Sequence, residues 1–286
     1  MRWVTVLTEG GPKACGVSQG QYVEVEGADV GRPVSVRELL ALGVEGQRQA
    51  WDALAQGKVR HDPAGATLLA PIPDPPKIIC LGLNYRDHAE ESGMAIPTEP
   101  IVFSKYASSL IGAGAEIVLP EASTEVDFEA ELVVVIGKGG RDIPRDRAME
   151  HVGGYTVGHD VSARDWQLNK PGKQWMMGKT FDTFAPVGPA LVTPDEVADP
   201  HALGIRLRLN GETMQDSSTS QLIFRIDEFI AYLSRVFTFE PGDLIFTGTP
   251  PGVGMARKPP VWLQAGDVVE VEIDGLGALR NPVIRR

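Results

Sequence analysis

Glu125-Val-Asp-Phe-Glu-Ala-Glu-Leu-Val-Val-Val-Ile136 decides how this chain is read. Its acids fall at 125, 127, 129 and 131. In a strand, residues two apart share a face. Followed on, that face becomes Val133 and Val135, so the carboxylates lead into an apolar surface. Neighbouring like charges repel and are costly to bury unpaired. A hard divalent cation, which takes carboxylate oxygens as ligands, resolves the conflict, with Glu129 and Glu131 as the acids of interest. An edge strand with an acidic rim fits the same run.

Working outward, the 286 residues are 43% hydrophobic and 23% charged, enough for one large domain or a large one with a small companion. A net charge of −11 disfavours nucleic acid and anionic membranes as partners. Two distant cysteines, Cys15 and Cys80, make neither a disulfide framework nor a zinc-thiolate site. The first residues lack a long apolar leader segment, and no stretch approaches the length of a membrane span. The expectation is a cytoplasmic protein.

Residues 1–70 read as a small N-terminal domain, with strands at 2–7 and 21–25, a helix after Ser35 and another over 46–56. Pro71-Ile-Pro-Asp-Pro-Pro76 reads as a stiff linker, and 77–286 as the main domain. There, Lys77–Leu81 is a short apolar strand. Ile205–Met214 alternates around Asn210-Gly211, a hairpin signal, and Val268–Asp274 alternates with Val269, Val271 and Ile273 inward. One clear helix places Asp227 at its N-cap and Phe229, Ile230, Leu233, Val236 and Phe237 on one face. Many short strands and few helices predict a β-rich α+β fold.

Four further segments carry possible chemistry. Asp160, at the end of an apolar strand, completes a three-carboxylate set with Glu129 and Glu131, or simply caps the next turn. Lys179, between a glycine and aromatics, suits partial burial beside a substrate carboxylate or a developing enolate, though lone lysines are usually solvated. A helix over 85–92 would set His88 and Glu91 three residues apart, where a carboxylate can orient an imidazole; an ordinary solvated helix reads the same way. Thr247–Gly254 is a turn-rich loop whose amides could cradle a carboxylate, without the nucleotide-loop pattern.

Together these segments resemble the fumarylacetoacetate hydrolase family. The likeness runs in order through Cys80–His88, Phe103-Ser-Lys105, Asp127–Gly137, Asp160–Gln167, Gly178–Asp182, Leu209–Glu212 and Thr247–Gly254. The run Gly172–Asp182 is most similar to the branch holding the mitochondrial members of animals, and His159, where many relatives carry Asn, marks the same branch. The first 70 residues resemble, more loosely, the accessory domain of longer bacterial members. The resemblance implies a mixed β-roll catalytic domain, usually homodimeric. It implies a divalent cation, commonly Mg²⁺ with Mn²⁺ or Ca²⁺ as alternatives, on Glu129, Glu131 and Asp160, and no organic cofactor. It implies that Arg164, Gln167 and Thr249, with Lys179, face a small anionic 2-oxo acid or diketo acid. It also implies that His88 and Glu91 activate water on a segment that closes as a lid. The leading expectation is hydrolysis of a C–C bond in an acylpyruvate-like substrate. Its alternatives are an oxaloacetate tautomerase or decarboxylase, and, in another class, a non-catalytic metal-dependent binding protein.

Overall fold

The acidic stretch is not one continuous strand. Val126–Asp127 and Ala130–Ile136 are separate strands, with Phe128 and Glu129 in the break between them. The alternation expected over 125–135 therefore holds only from Ala130 onward. The computed structural model describes residues 1–25 and 35–286.

The N-terminal part holds β1 (Arg2–Thr8), β2 (Gly11–Ser18), β3 (Gln21–Glu24), α1 (Val36–Ala41), α2 (Gly43–Ala53), β4 (Arg60–His61) and β5 (Thr67–Leu69). Helix α1 starts where the sequence predicts. The Ser35 hydroxyl accepts from the Glu38 amide at 3.1 Å, and Glu38 accepts from the Ser35 amide at 2.8 Å, a reciprocal cap. Next come β6 (Ile78–Gly82), α3 (Arg86–Glu91), β7 (Ile101–Ser104), β8 (Leu110–Ile111), β9 (Ile117–Val118), β10 (Val126–Asp127) and β11 (Ala130–Ile136). They are followed by β12 (Val152–His159), β13 (Ser162–Ala163), α4 (Arg164–Asn169), α5 (Trp175–Lys179) and β14 (Ala185–Val192). The chain finishes with β15 (Gly204–Leu209), β16 (Glu212–Ser218), α6 (Ile226–Ser234), β17 (Leu244–Phe246), β18 (Val268–Ile273) and β19 (Gly277–Ile284).

Among the described residues the main sheet runs β4-β3-β2-β1-β14-β12-β11-β17-β6-β7, and a second runs β16-β15-β18-β19-β9. Both contain antiparallel and parallel pairs, the mixed β-rich architecture expected. β1 pairs directly with β14, so the N-terminal strands extend the main sheet rather than forming a sheet of their own. Pro71 and Ile72, at the start of the proline run, are buried, with Ile72 only 1% exposed, while Asp74 is exposed.

β11 is buried along its whole length because both of its faces are covered. Leu132, Val134 and Ile136 join the large core, and Val133 and Val135 join the core beneath α1. Truncating Leu132 to alanine would cost roughly 2–5 kcal/mol by the usual cavity rule. Two expectations hold in detail. Asn210 and Gly211 take positive φ (54° and 86°) in the β15–β16 turn. Val269, Val271 and Ile273 point inward on β18. The α6 reading needs correction. Its N-cap is Arg225, Asp227 lies in the first turn, and Val236, past the helix end, is 67% exposed. Among the described residues no helix is long and apolar enough to cross a membrane.

Candidate active site

Antiparallel pairing of β11 with β12 builds the centre of the site. Ala130 lies opposite His159, so Glu129 and Glu131 flank the point where β12 delivers Asp160. The Asp160 amide donates to the Glu129 carbonyl at 3.0 Å and locks the break in the acidic run. One carboxylate oxygen from each of Glu129, Glu131 and Asp160 lies within 4.8 Å of the others, and all three residues are buried. The three acids expected to share a metal are thus brought together.

Cations surround them. Lys179, at the end of α5, donates to Glu129 Oε2 at 2.6 Å and to Asp160 Oδ2 at 2.8 Å. It is fully buried rather than partly so, with its ammonium over the Phe103 ring. Gly178 makes this approach feasible, because a Cβ there would stand 2.6 Å from the Gln167 amide nitrogen of α4. Arg164, the first residue of α4, donates to Glu129 Oε1 at 2.6 Å, Asp127 Oδ2 at 2.8 Å and Gln167 Oε1 at 2.8 Å. Its guanidinium therefore fixes Glu129 and Gln167 in place. Asp127 is drawn out of the triad by Arg164 and by the Gly254 and Met255 amides.

Lys105 is a site residue that the residue-by-residue reading did not single out. Its ammonium lies 2.6 Å from Asp160 Oδ1, yet its hydrogens are directed at the carbonyls of Val161, Lys179 and Phe184. Asp160 Oδ1 is consequently buried beside positive charge but without a directed hydrogen bond. A lysine after a short strand leaves no periodic signal in sequence. Gln215 was missed for the same reason. Its carbonyl accepts from the Ala130 amide at 2.8 Å and its amide donates to Thr249 Oγ1 at 2.9 Å, tying the 247–254 loop to β11.

Four buried carboxylates (Asp127, Glu129, Glu131, Asp160) face three buried cations (Lys105, Arg164, Lys179). Glu131 is the one of the four that forms no ion pair among the described residues. Its carboxylate accepts from the Gly248 amide at 2.7 Å, at a glycine with φ of 92°. Burial, then Asp160 and Glu129, push its pKa well above the carboxylate range. Glu129 goes the other way: burial opposes its ionisation, but Lys179 and Arg164 outweigh it and hold the group far below that range. Lys179 is likewise raised against burial by Asp160 and Glu129, so it stays charged. His159 is driven down to about 3 by burial and Lys105, and is neutral.

A divalent cation fits this set. The donors are hard carboxylate oxygens without sulfur or imidazole, Asp160 Oδ1 lacks a donor, and Glu131 forms no ion pair among the described residues.

α3 lies beside this centre. His88 Nδ1 is 3.2 Å from Glu91 Oε2. Glu91 Oε1 accepts from the Gly252 amide at 2.9 Å, Asp87 accepts from the Ser217 hydroxyl at 2.5 Å, and Arg86 donates to the Leu222 carbonyl at 2.8 Å. These contacts dock the short helix onto Gly252 of the 247–254 loop, onto β16 and onto the turn at Leu222.

Comparison with known proteins agrees with this geometry. The fumarylacetoacetate (FAA) hydrolase C-terminal family matches residues 77–284. A Xenopus laevis relative named oxaloacetate tautomerase fahd2, mitochondrial, is 53% identical over 265 residues, covering 93% of this chain and 83% of that one. The crystal structure of a putative HpcE protein from Mycobacterium smegmatis superposes with a TM-score of 0.88 at 40% identity, covering 100% of this chain and 99% of the other. Maleylpyruvate hydrolase from Sphingobium sp. SYK-6, in complex with manganese(II) and pyruvate, superposes with a TM-score of 0.83 at 32% identity over 100% of this chain and 99% of the other. The cytoplasmic placement expected from the sequence does not stand, since the tautomerase relative is a mitochondrial protein by name. Absence of an apolar leader carried that expectation, and an apolar leader is the mark of secretion, not of organelle import.

Proposed function

The chain belongs to the fumarylacetoacetate hydrolase family, and from that membership we propose a metal-dependent keto–enol tautomerase acting on oxaloacetate or a similar 2-oxo dicarboxylic acid. The observation that carries this reading is the uncompensated carboxylate centre. Glu129, Glu131 and Asp160 would hold a divalent cation, Mg²⁺ or a related hard ion, and the tautomerase relatives favour the proton-transfer chemistry over hydrolysis.

Glu129, Glu131 and Asp160 would hold a divalent cation, whose positive charge would stabilise the enolate as it develops. Lys179 uses two hydrogens on Glu129 and Asp160, which leaves one for the C2 oxygen as negative charge develops there. Arg164 fixes Glu129 and Gln167, and Thr249 sits on the loop whose Gly248 amide donates to Glu131. His88, oriented by Glu91, takes the C3 proton. The C3–H bond breaks, C2 and C3 become doubly bonded, and a proton is delivered to the C2 oxygen; the carbon skeleton is untouched. Progress curves of enol-oxaloacetate with Mg²⁺ and with EDTA test this directly. Enol decay at the buffer rate under both conditions would contradict it.

A second reading has its own support. The same His88–Glu91 pair could activate water for C–C hydrolysis, and maleylpyruvate hydrolase shares the fold. Loss of an acylpyruvate's diketone absorbance would favour it. The division into 1–70, a 71–76 linker and 77–286, and a homodimeric assembly, belong to the same proposal. Light scattering at micromolar concentration tests the dimer, and resistance of 71–76 to limited proteolysis is expected from the buried Ile72.

A further inference from the structure

We propose that the chain carries a second small-molecule site, remote from the carboxylate centre, for an aromatic or alicyclic molecule that offers an N–H or O–H to Gln47 and an anionic group to Lys138. A cavity of about 770 Å³ opens between α2 and the ends of β11 and β12. Its size suits a ligand, since small-molecule sites span roughly 300–1,000 Å³. Leu40, Trp51 and Val152 give it largely hydrocarbon walls, and Gly137 and Gly153 form part of its floor. Trp51 is braced edge-on against Trp3, with ring centroids 5.3 Å apart.

One buried polar atom in this lining is unpaired among the described residues. Gln47 is 5% exposed, lies on the cavity, and its Oε1 accepts no hydrogen bond there. A buried amide oxygen without a donor is costly, and an apolar side chain there would pack without that cost. The neighbouring donor on α2 is already engaged, because Arg48 forks onto Glu45 at 2.8 and 3.1 Å. A ligand with its own donor satisfies Gln47. Lys138 is exposed and stands within ion-pair distance of no acid among the described residues; of the acids in the lining, Asp195 and Glu196 pair with the Met1 amino group and Glu150 with Arg147, so Lys138 can receive an anionic end.

The position separates this site from the chemistry. Glu131 and Asp160 sit at one end of the β11–β12 pair, whereas Gly137 and Gly153 sit at the other. Six residues of strand at ~3.3 Å each place the two about 20 Å apart. The inference is therefore independent of which reaction the carboxylate centre performs.

The test uses 2-anilinonaphthalene-6-sulfonate, which carries aromatic rings, one N–H and one anionic group, titrated by fluorescence into the folded, Mg²⁺-loaded protein. The expected result is saturable binding at one site, undiminished by excess oxaloacetate. Ala41→Trp and Val44→Trp, both at exposed rim positions, should each abolish it by filling the space. Gln47→Leu should weaken it several-fold; it removes no hydrogen bond to Oε1, and an unchanged melting temperature checks that the fold is kept. Lys138→Ala should weaken it further and remove its salt dependence. Non-saturable binding, binding that survives both tryptophan variants, binding indifferent to Gln47→Leu, or displacement by oxaloacetate would each overturn the proposal.

Discussion

Glu131→Gln and Glu129→Gln make the same chemical change two residues apart, and the charge arrangement requires opposite outcomes in the metal-free protein. Glu131 forms no ion pair among the described residues, and burial with Asp160 and Glu129 beside it keeps it protonated well above the usual carboxylate range. Glutamine copies that neutral state and can still accept from the Gly248 amide, so metal-free stability should change by about 1 kcal/mol or less near neutral pH. The sign at higher pH follows. A raised folded-state pKa means that ionisation opposes folding, so wild type loses stability as pH climbs from the unfolded carboxylate value through the raised one. Glu131→Gln lacks that loss and should become the more stable protein at alkaline pH. Glu129 is instead paired with Lys179 and Arg164 at 2.6 Å each. Its neutralisation leaves two buried cations short of a partner, which costs roughly 3–5 kcal/mol, the usual value for breaking a buried pair. For a chain of this size that is a fall in melting temperature on the order of 10 °C. Calorimetry in EDTA reads both effects. Manganese titration should then show both variants weakened by about 10²-fold or more, since loss of even an outer partner costs 10–100-fold. Equal destabilisation of the two metal-free variants would refute the assignment of Glu131 as the uncompensated acid.

Metal affinity of the wild type should rise with pH, by up to tenfold per unit at most, until Glu131 ionises without help; calorimetric titration at three pH values checks this. His88→Ala should slow enol–keto exchange by roughly 10²–10⁴-fold, the usual worth of acid–base catalysis, with unchanged manganese affinity; stopped-flow absorbance reads the first and spin resonance the second. Gly178→Ala should destabilise by roughly 1–3 kcal/mol, because its Cβ meets the Gln167 amide nitrogen at 2.6 Å and the Ala163 carbonyl at 2.8 Å; a urea melt measures it. His201 accepts from the Ile226 amide at the start of α6, and burial and Arg225 lower its pKa. Its stabilising effect is therefore present above the unfolded histidine value and fades as pH falls through the folded one, and His201→Ala should remove that acid-side dependence.

What was legible in the sequence was local. The apolar run from Ala130, the Asn210-Gly211 turn and the Ser35 cap each announce themselves through spacing or a special residue, and each is found in place. The triad was readable because three acids lead into apolar strands, a conflict that asks for a cation. What was hidden depends on the tertiary fold. The break at Glu129 is set by the Asp160 amide, thirty-one residues on. Lys105 reaches Asp160 from β7, across the sheet from β12. The 71–76 run reads as a stiff linker because proline punctuates loops, and no local signal shows that its Ile72 packs into the core. The Asp227 cap failed because His201, not a neighbouring side chain, satisfies the first amide of α6.

The central claim is that a cation on Glu129, Glu131 and Asp160 serves proton transfer at a 2-oxo acid. The most direct measurement follows enol-oxaloacetate and an acylpyruvate side by side with wild-type protein, first with Mg²⁺ and then with EDTA. The expected result is rapid enol–keto exchange of oxaloacetate that EDTA abolishes, with little cleavage of the acylpyruvate. Exchange that persists in EDTA, or metal-dependent cleavage of the acylpyruvate without any acceleration of exchange, would contradict it.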